Sequence, residues 1–170
     1  APIRNELGIT HGQFGTIYAI ATICSSLLLV WFGKKIDEFR LFHYAFLVII
    51  FLFLSSVFFS FINSIYFLGV GIFFMRFSGQ GLMSHTSTTA ISRYFEKSRG
   101  KALSVSWLGI SSAEFILPVL AIYLLSIYSW QIVWNGISIL IILTLPFVIN
   151  YTIKQVGLNT REATLEIKKE

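Results

Sequence analysis

Charge is scarce in this chain. Of its 170 residues only 12% are Asp, Glu, Lys or Arg, about half the share a soluble domain carries, which excludes a conventional water-facing surface. Its single cysteine, Cys24, excludes an intrachain disulfide and, inside an apolar run, reads as a small packing residue. Neither HExxH nor GxSxG occurs, and no phosphate-cradling glycine loop is present. The sequence therefore offers nothing for a zinc hydrolase, a serine hydrolase or an ATP-driven pump, and calls for no metal and no cofactor. Short segments of alternating polarity are missing too, so no membrane β-barrel is indicated. Residues 1–11 carry one basic residue and no apolar h-region, so they do not read as a signal peptide.

What the chain has instead is hydrocarbon. It is 55% hydrophobic with 17 Phe, and its mean hydropathy is +0.76. Apolar runs of roughly 20 residues, enough to cross about 30 Å of lipid, recur along it. The expected fold is an all-α polytopic transmembrane bundle with five spans at 12–32, 42–62, 65–94, 102–125 and 132–153. Residues 1–11 form a lead-in, where Thr10 and Gln13 have capping-box spacing and predict a helix start near His11. Residues 154–170 form a charged tail.

The net charge of +5 and a pI near 9.5 do not point to nucleic acid, because the basic residues sit in loops. Lys34, Lys35 and Arg40 lie in one loop and Arg93, Lys97, Arg99 and Lys101 in another. The tail adds Lys154, Arg161, Lys168 and Lys169, whereas the turns at 63–64 and 126–131 have no basic residue. The positive-inside rule then places both basic loops and the tail in the cytoplasm and residue 1 outside. Such a topology predicts a fragment that lacks a preceding span and the remainder of its own chain. Trp130 and Trp134, at the outer end of the fifth span, read as interfacial anchors.

One stretch breaks the apolar pattern. Residues 75–95, MRFSGQGLMSHTSTTAISRYF, put an arginine, a glutamine, a histidine and a series of hydroxyls inside the third span. Polar groups in a span normally face a bundle interior or an aqueous cavity. At 100° per residue Arg76, Gln80 and Ser87 fall on one stripe, Gly79 and Gly81 allow close helix approach, and His85 faces the opposite way. Arginine at membrane depth costs at least about 2.5–3.5 kcal/mol, so Arg76 needs an anionic substrate, a proton-coupling partner, a permanent Glu pair or access to the surface. Glu114 is the only acid within a span. Its expected axial offset from Arg76 is roughly 7–8 Å at 1.5 Å per residue, a gap that long side chains nearly close. Pro118 removes the hydrogen bond to the Glu114 carbonyl and is expected to kink the fourth span. His85 follows Ser84, but adjacent helical residues do not face one another, so His85 reads as a packing residue with an interhelical hydrogen bond. The neighbouring hydroxyls read as bonding the preceding turn.

These landmarks resemble the major facilitator superfamily of secondary transporters. GKKIDEFR, residues 33–40, is similar to the family's G-x-x-x-D-R-x-G-R-R loop: Gly33 and Asp37 match, while Glu38 stands where the family has a basic residue and Arg40 where it has glycine. RFSGQG matches the R-x-x-G-Q-G pattern of the family's fourth helix through Arg76, Gly79, Gln80 and Gly81. The next loop, R-Y-F-x-x-x-R-G-x-A, is matched by Arg93, Phe95, Arg99, Gly100 and Ala102, with Gly109 and Pro118 beyond it. The combination looks most like the monocarboxylate and oxalate/formate antiporter-like branch, covering helices two to six of twelve. The resemblance implies that the second and fifth spans here pack outward toward lipid while the third lines a cavity. It also implies roles in conformational change for Gly33, Asp37, Gly79, Gly81, Arg93, Arg99 and Pro118, and in substrate binding or coupling for Arg76, Gln80, Ser87 and Glu114.

The implied function is a secondary transporter in a bacterial inner membrane, a symporter or antiporter moving a small organic solute, a carboxylate anion by chemical class, with proton or other ion coupling. Its site would lie between two six-helix halves. Two other classes stay open: an integral-membrane enzyme using His85 and Glu114, and a non-transporting scaffold or receptor with Arg76–Glu114 as a static bridge.

Overall fold

A chain crossing hydrocarbon must satisfy every backbone N–H and C=O from within, and in an apolar sequence without alternation helices are the way to do so. The computed structural model describes residues 2–34, 36 and 39–156, the side chains of Glu96 and of residues 153–156 excepted, and these are helical with short connections. Helix α1 spans Pro2–Glu6, α2 His11–Lys34, α3 Leu41–Ser60, α4 Ile65–Met75, α5 Ser84–Tyr94, α6 Arg99–Ile127 and α7 Trp130–Val156. A π-helical segment, Arg76–Met83, joins α4 to α5, so that Ile65–Tyr94 is one long element. Five helical stretches are long and apolar enough to cross a membrane. Asp37 and the tail from residue 157 lie outside the described residues.

Local chemistry sets the ends. The Thr10 amide donates to Gln13 Oε1 at 2.9 Å and the Gln13 amide to Thr10 Oγ1 at 3.2 Å, the reciprocal box that starts α2 at His11. Gly8, at φ 63°, adopts the left-handed conformation that turns the chain from α1 into α2. Ser64 caps α4 by accepting from the Phe67 amide. At the other end of α2 the Tyr44 hydroxyl donates to the Phe32 carbonyl at 2.9 Å, satisfying one of the acceptors a helix C-terminus leaves open.

Helix α2 packs against α4 and the π segment; α3 packs against α7, α4 and the π segment. One apolar cluster gathers Ile36, Leu41, Tyr44, Val48, Phe77, Leu82 and Tyr94 at the end bearing the basic loops. The other gathers Ala21, Phe59, Ile62, Leu68, Ile72 and Trp130 at the opposite end. Within the first cluster, Phe77 of the π segment ties α2 to α3, meeting Phe32 edge-on at 5.4 Å and Phe51 at 5.9 Å. Polar contacts register the bundle as well: Ser78 Oγ donates to Ser55 Oγ at 3.3 Å, and Ser60 Oγ to Asn135 Oδ1 at 3.1 Å.

Two expectations change here. Helix α3, expected to pack outward, carries the largest share of buried positions among the five spans. Lipid tails and leucine side chains are equally apolar, so composition cannot separate a lipid-facing from a helix-facing surface. Trp130, expected as an interfacial anchor, is only 6% exposed. Its indole N–H donates to Glu6 Oε2, and Gln131 Nε2 donates to Glu6 Oε1 at 3.2 Å. The lead-in is therefore a docked amphipathic turn, with Ile3, Leu7 and Ile9 packed on the second cluster. Trp134 likewise packs on Phe59, with ring centroids 4.6 Å apart.

Candidate functional site

The site grows out of the break in helical register. Gly79 and Gly81 lower the helix propensity of Arg76–Met83 by about 1 kcal/mol each relative to alanine, and the backbone there widens to i→i+5 bonding. Their missing side chains let both neighbours close in. A Cβ on Gly79 would stand 3.4 Å from Leu52 of α3, and one on Gly81 3.3 Å from Leu29 of α2.

The register change redistributes the polar groups. Eight residues at about 4.4 rather than 3.6 per turn fall behind an α-helix by roughly 0.4 of a turn. Arg76 therefore faces α2, where its Nε donates to Thr22 Oγ1 at 3.1 Å and its guanidinium carbon lies 4.6 Å from the centre of the Tyr18 ring. That is a cation–π arrangement. Ser87 instead lines a mainly apolar cavity of about 260 Å³ between α3, α5 and α7, with Leu41, Ala45, Tyr94 and Ile149. Gln80 is exposed. The single stripe expected at 100° per residue is thus divided between two faces. Sequence reasoning missed Thr22 and Tyr18, whose only local signal is their i, i+4 spacing on one helix.

Glu114 does not meet Arg76. It is exposed on α6, a helix without a buried residue, and Pro118 is exposed one turn further along the same helix. Among the described residues no carboxylate lies within ion-pair distance of Arg76. Helix α6 is continuous through Pro118.

The remaining motif residues cluster at the basic-loop end. Arg93 donates to the Ile36 carbonyl at 3.4 Å, tying the end of α5 to the connection between α2 and α3. Arg99 donates to the Ser92 carbonyl at 3.2 Å and so caps α5. Gly33 is buried, and its closest neighbour is the His85 ring, whose Nε2 would lie 3.4 Å from an added Cβ. His85 Nδ1 is buried without a hydrogen-bond partner among the described residues, where the sequence led us to expect an interhelical bond. Thr86 and Thr88 donate to the carbonyls of Leu82 and Ser84, each four residues back, as their type predicts. Among the described residues no group of His, Cys, Asp and Glu is arranged to hold a metal ion.

Five apolar helical stretches, one of them interrupted by a cationic and hydroxylated segment, define an integral membrane protein of the polytopic helical class. A family model described as Major Facilitator Superfamily matches residues 1–165, and the chain belongs to that family, whose members are membrane transporters rather than enzymes. No curated protein and no solved structure matches the chain.

Proposed function

We propose that this protein is a secondary transporter for a small carboxylate, working by alternating access, with Arg76 as the group that attracts the substrate. The observation that carries this reading is the environment of Arg76: a guanidinium at membrane depth, partly exposed, oriented by Thr22 and Tyr18, with no acid pairing it among the described residues. Nε is committed to Thr22, which leaves the terminal nitrogens to make the bidentate contact that arginine offers a carboxylate. Gln80, exposed four residues on, supplies an amide on the same segment. Ser87 and Glu114 face elsewhere in this conformation; in the proposed cycle they contribute where α5 and α6 move relative to the π segment. A static Arg76–Glu114 bridge, the basis of the scaffold alternative, finds no pair here.

The irregular π segment suits a moving element, since such segments concentrate at functional positions in membrane helices. In the proposed orientation the loops around residues 33–41 and 93–101 face the cytoplasm of a bacterial cell and residue 2 faces outward. The branch most consistent with the motifs is the monocarboxylate and oxalate/formate antiporter-like one.

The test is exchange of radiolabelled oxalate and lactate by the full-length protein in proteoliposomes. Wild type exchanges at least one of them, Arg76→Ala abolishes exchange, and Arg76→Lys retains a fraction, because an ammonium keeps the charge without the fork. Exchange by Arg76→Ala at the wild-type rate would overturn the assignment.

A further inference from the structure

Outside the Arg76 site, the region that carries unused chemistry is the junction of α2 and α5 at the basic-loop end. The His85 ring rests against Gly33, with Nε2, Cε1 and Cδ2 at 3.4, 3.5 and 3.7 Å from the position of a Cβ. Beside it opens a cavity of about 420 Å³ whose lining includes Ser26, Leu29, Lys34, Ile36 and Thr89. Polar groups thus face it from both helices.

Leaving a buried polar atom unpaired costs about 1–3 kcal/mol. A residue that served only to fill this space would carry no such atom. Imidazole is also the side chain whose ordinary charge change falls between about pH 5 and 8. A cavity of this size admits several waters, so a proton has a route to the ring.

We propose that His85 is a proton-binding site that controls the contact between α2 and α5. A hydronium ion in the cavity gives its proton to the unprotonated ring nitrogen: one O–H bond breaks as the N–H bond forms, and the donor is left as water. Among the described residues Lys34 is the charged group facing this cavity; the other lining residues of α2 and α5, and Ile36, are uncharged. Lys35, Asp37 and Glu38 of the same connection lie outside the described residues. Imidazolium formation adds a second positive charge to the lining that holds Lys34 and gives the ring two N–H donors. The charged ring then leaves Gly33 for the hydroxyls of Ser26 and Thr89 and for water, and this end of α2 separates from α5. Loss of the proton restores the packed contact. Such a device would couple a proton to helix movement, and in that sense it rests on the transporter reading; binding of the proton itself does not.

The experiment needs no substrate. In the full-length protein with Cys24→Ser, a thiol at the partly buried cavity position Leu29→Cys is labelled with a membrane-impermeant methanethiosulfonate and its rate is divided by that of an exposed reference thiol at Ser98→Cys. The division cancels the thiol's own pH dependence. The ratio is expected to rise as pH falls from 8 to 5, by up to about tenfold per pH unit, the limit for one linked proton. In His85→Gln the ratio is expected to be flat. A ratio independent of pH with His85 present, or equally pH-dependent in His85→Gln, overturns the proposal. A second reading comes from ¹⁵N-histidine signals in lipid nanodiscs, where a His85 ring that keeps one charge state from pH 5 to 8 also overturns it. A failure of carboxylate exchange with intact His85 titration would sink the transport reading and leave this one standing.

Discussion

Replacing Gly71 with alanine inserts a methyl group where there is no space for it. Gly71 is buried in α4, and an added Cβ would meet Ile62 Cδ1 at 2.7 Å and Phe59 Cδ2 at 3.0 Å. Neither neighbour has an easy retreat, since Ile62 is 4% and Phe59 9% exposed within the same apolar cluster. Overpacking of this kind costs about 1–3 kcal/mol, against which alanine recovers up to about 1 kcal/mol of helix propensity. The net expectation is a loss of up to roughly 3 kcal/mol, centred on about 1.5 kcal/mol. The comparison that isolates packing is Gly109→Ala, whose Cβ would meet nothing within 4 Å, and which should be neutral or stabilising by up to about 1 kcal/mol. Both are read as shifts in reversible unfolding in mixed bicelles titrated with a denaturing detergent. Ile62→Val removes the Cδ1 that clashes, so the double variant should be more stable than the sum of single effects predicts, with a coupling of about 0.5–3 kcal/mol. Equal stabilities of Gly71→Ala and Gly109→Ala, or strict additivity with Ile62→Val, would refute the reasoning. The position has functional weight, because Gly71 sets how closely α4 approaches α3 five residues before Arg76.

Other perturbations separate packing from chemistry. Thr22→Val removes the acceptor of the Arg76 Nε bond and should cost about 0.6 kcal/mol, the average for a polar contact between membrane helices, measured in the same unfolding assay, together with slower carboxylate exchange. Trp130→Phe deletes the indole donor to Glu6; amide hydrogen exchange should then accelerate across residues 2–9 and stay unchanged in α3 and α4. Gly33→Ala places its Cβ at ordinary contact distance from His85 and should leave stability within about 1 kcal/mol. Gly33→Leu should displace the ring and lower stability by about 1–3 kcal/mol, and equal tolerance of both substitutions would show that the Gly33–His85 contact is not tight.

The legible part of this protein is the part set by its solvent. Span number follows from run length and hydrocarbon thickness, and helix rather than barrel follows from the lack of alternation, because unsatisfied backbone in lipid is prohibitive. The start of α2 followed from Thr10 and Gln13, since a capping box is complete within four residues. The RFSGQG and RYFEKSRGKA landmarks were enough to place the chain beside the family whose model matches residues 1–165. Local chemistry of this kind needs no partner from elsewhere in the chain.

Facing and pairing were decided by tertiary structure. The stripe of Arg76, Gln80 and Ser87 assumed one helical period, and the π segment Arg76–Met83 changed it. Arg76 found Thr22 and Tyr18, 54 and 58 positions earlier, rather than Glu114. Trp130 turned inward to Glu6, and α3, as greasy as any lipid-facing helix, packed among its neighbours. The physical reason is common to all of these. In water, hydrophobicity tells a residue which way to face; in lipid, the surroundings and the neighbouring helix are equally apolar, so small residues, isolated hydrogen bonds and the fit of side chains decide the arrangement. The sequence determined that this chain crosses the membrane and belongs with transporters, and only the assembled helices decided which of its polar residues look at one another.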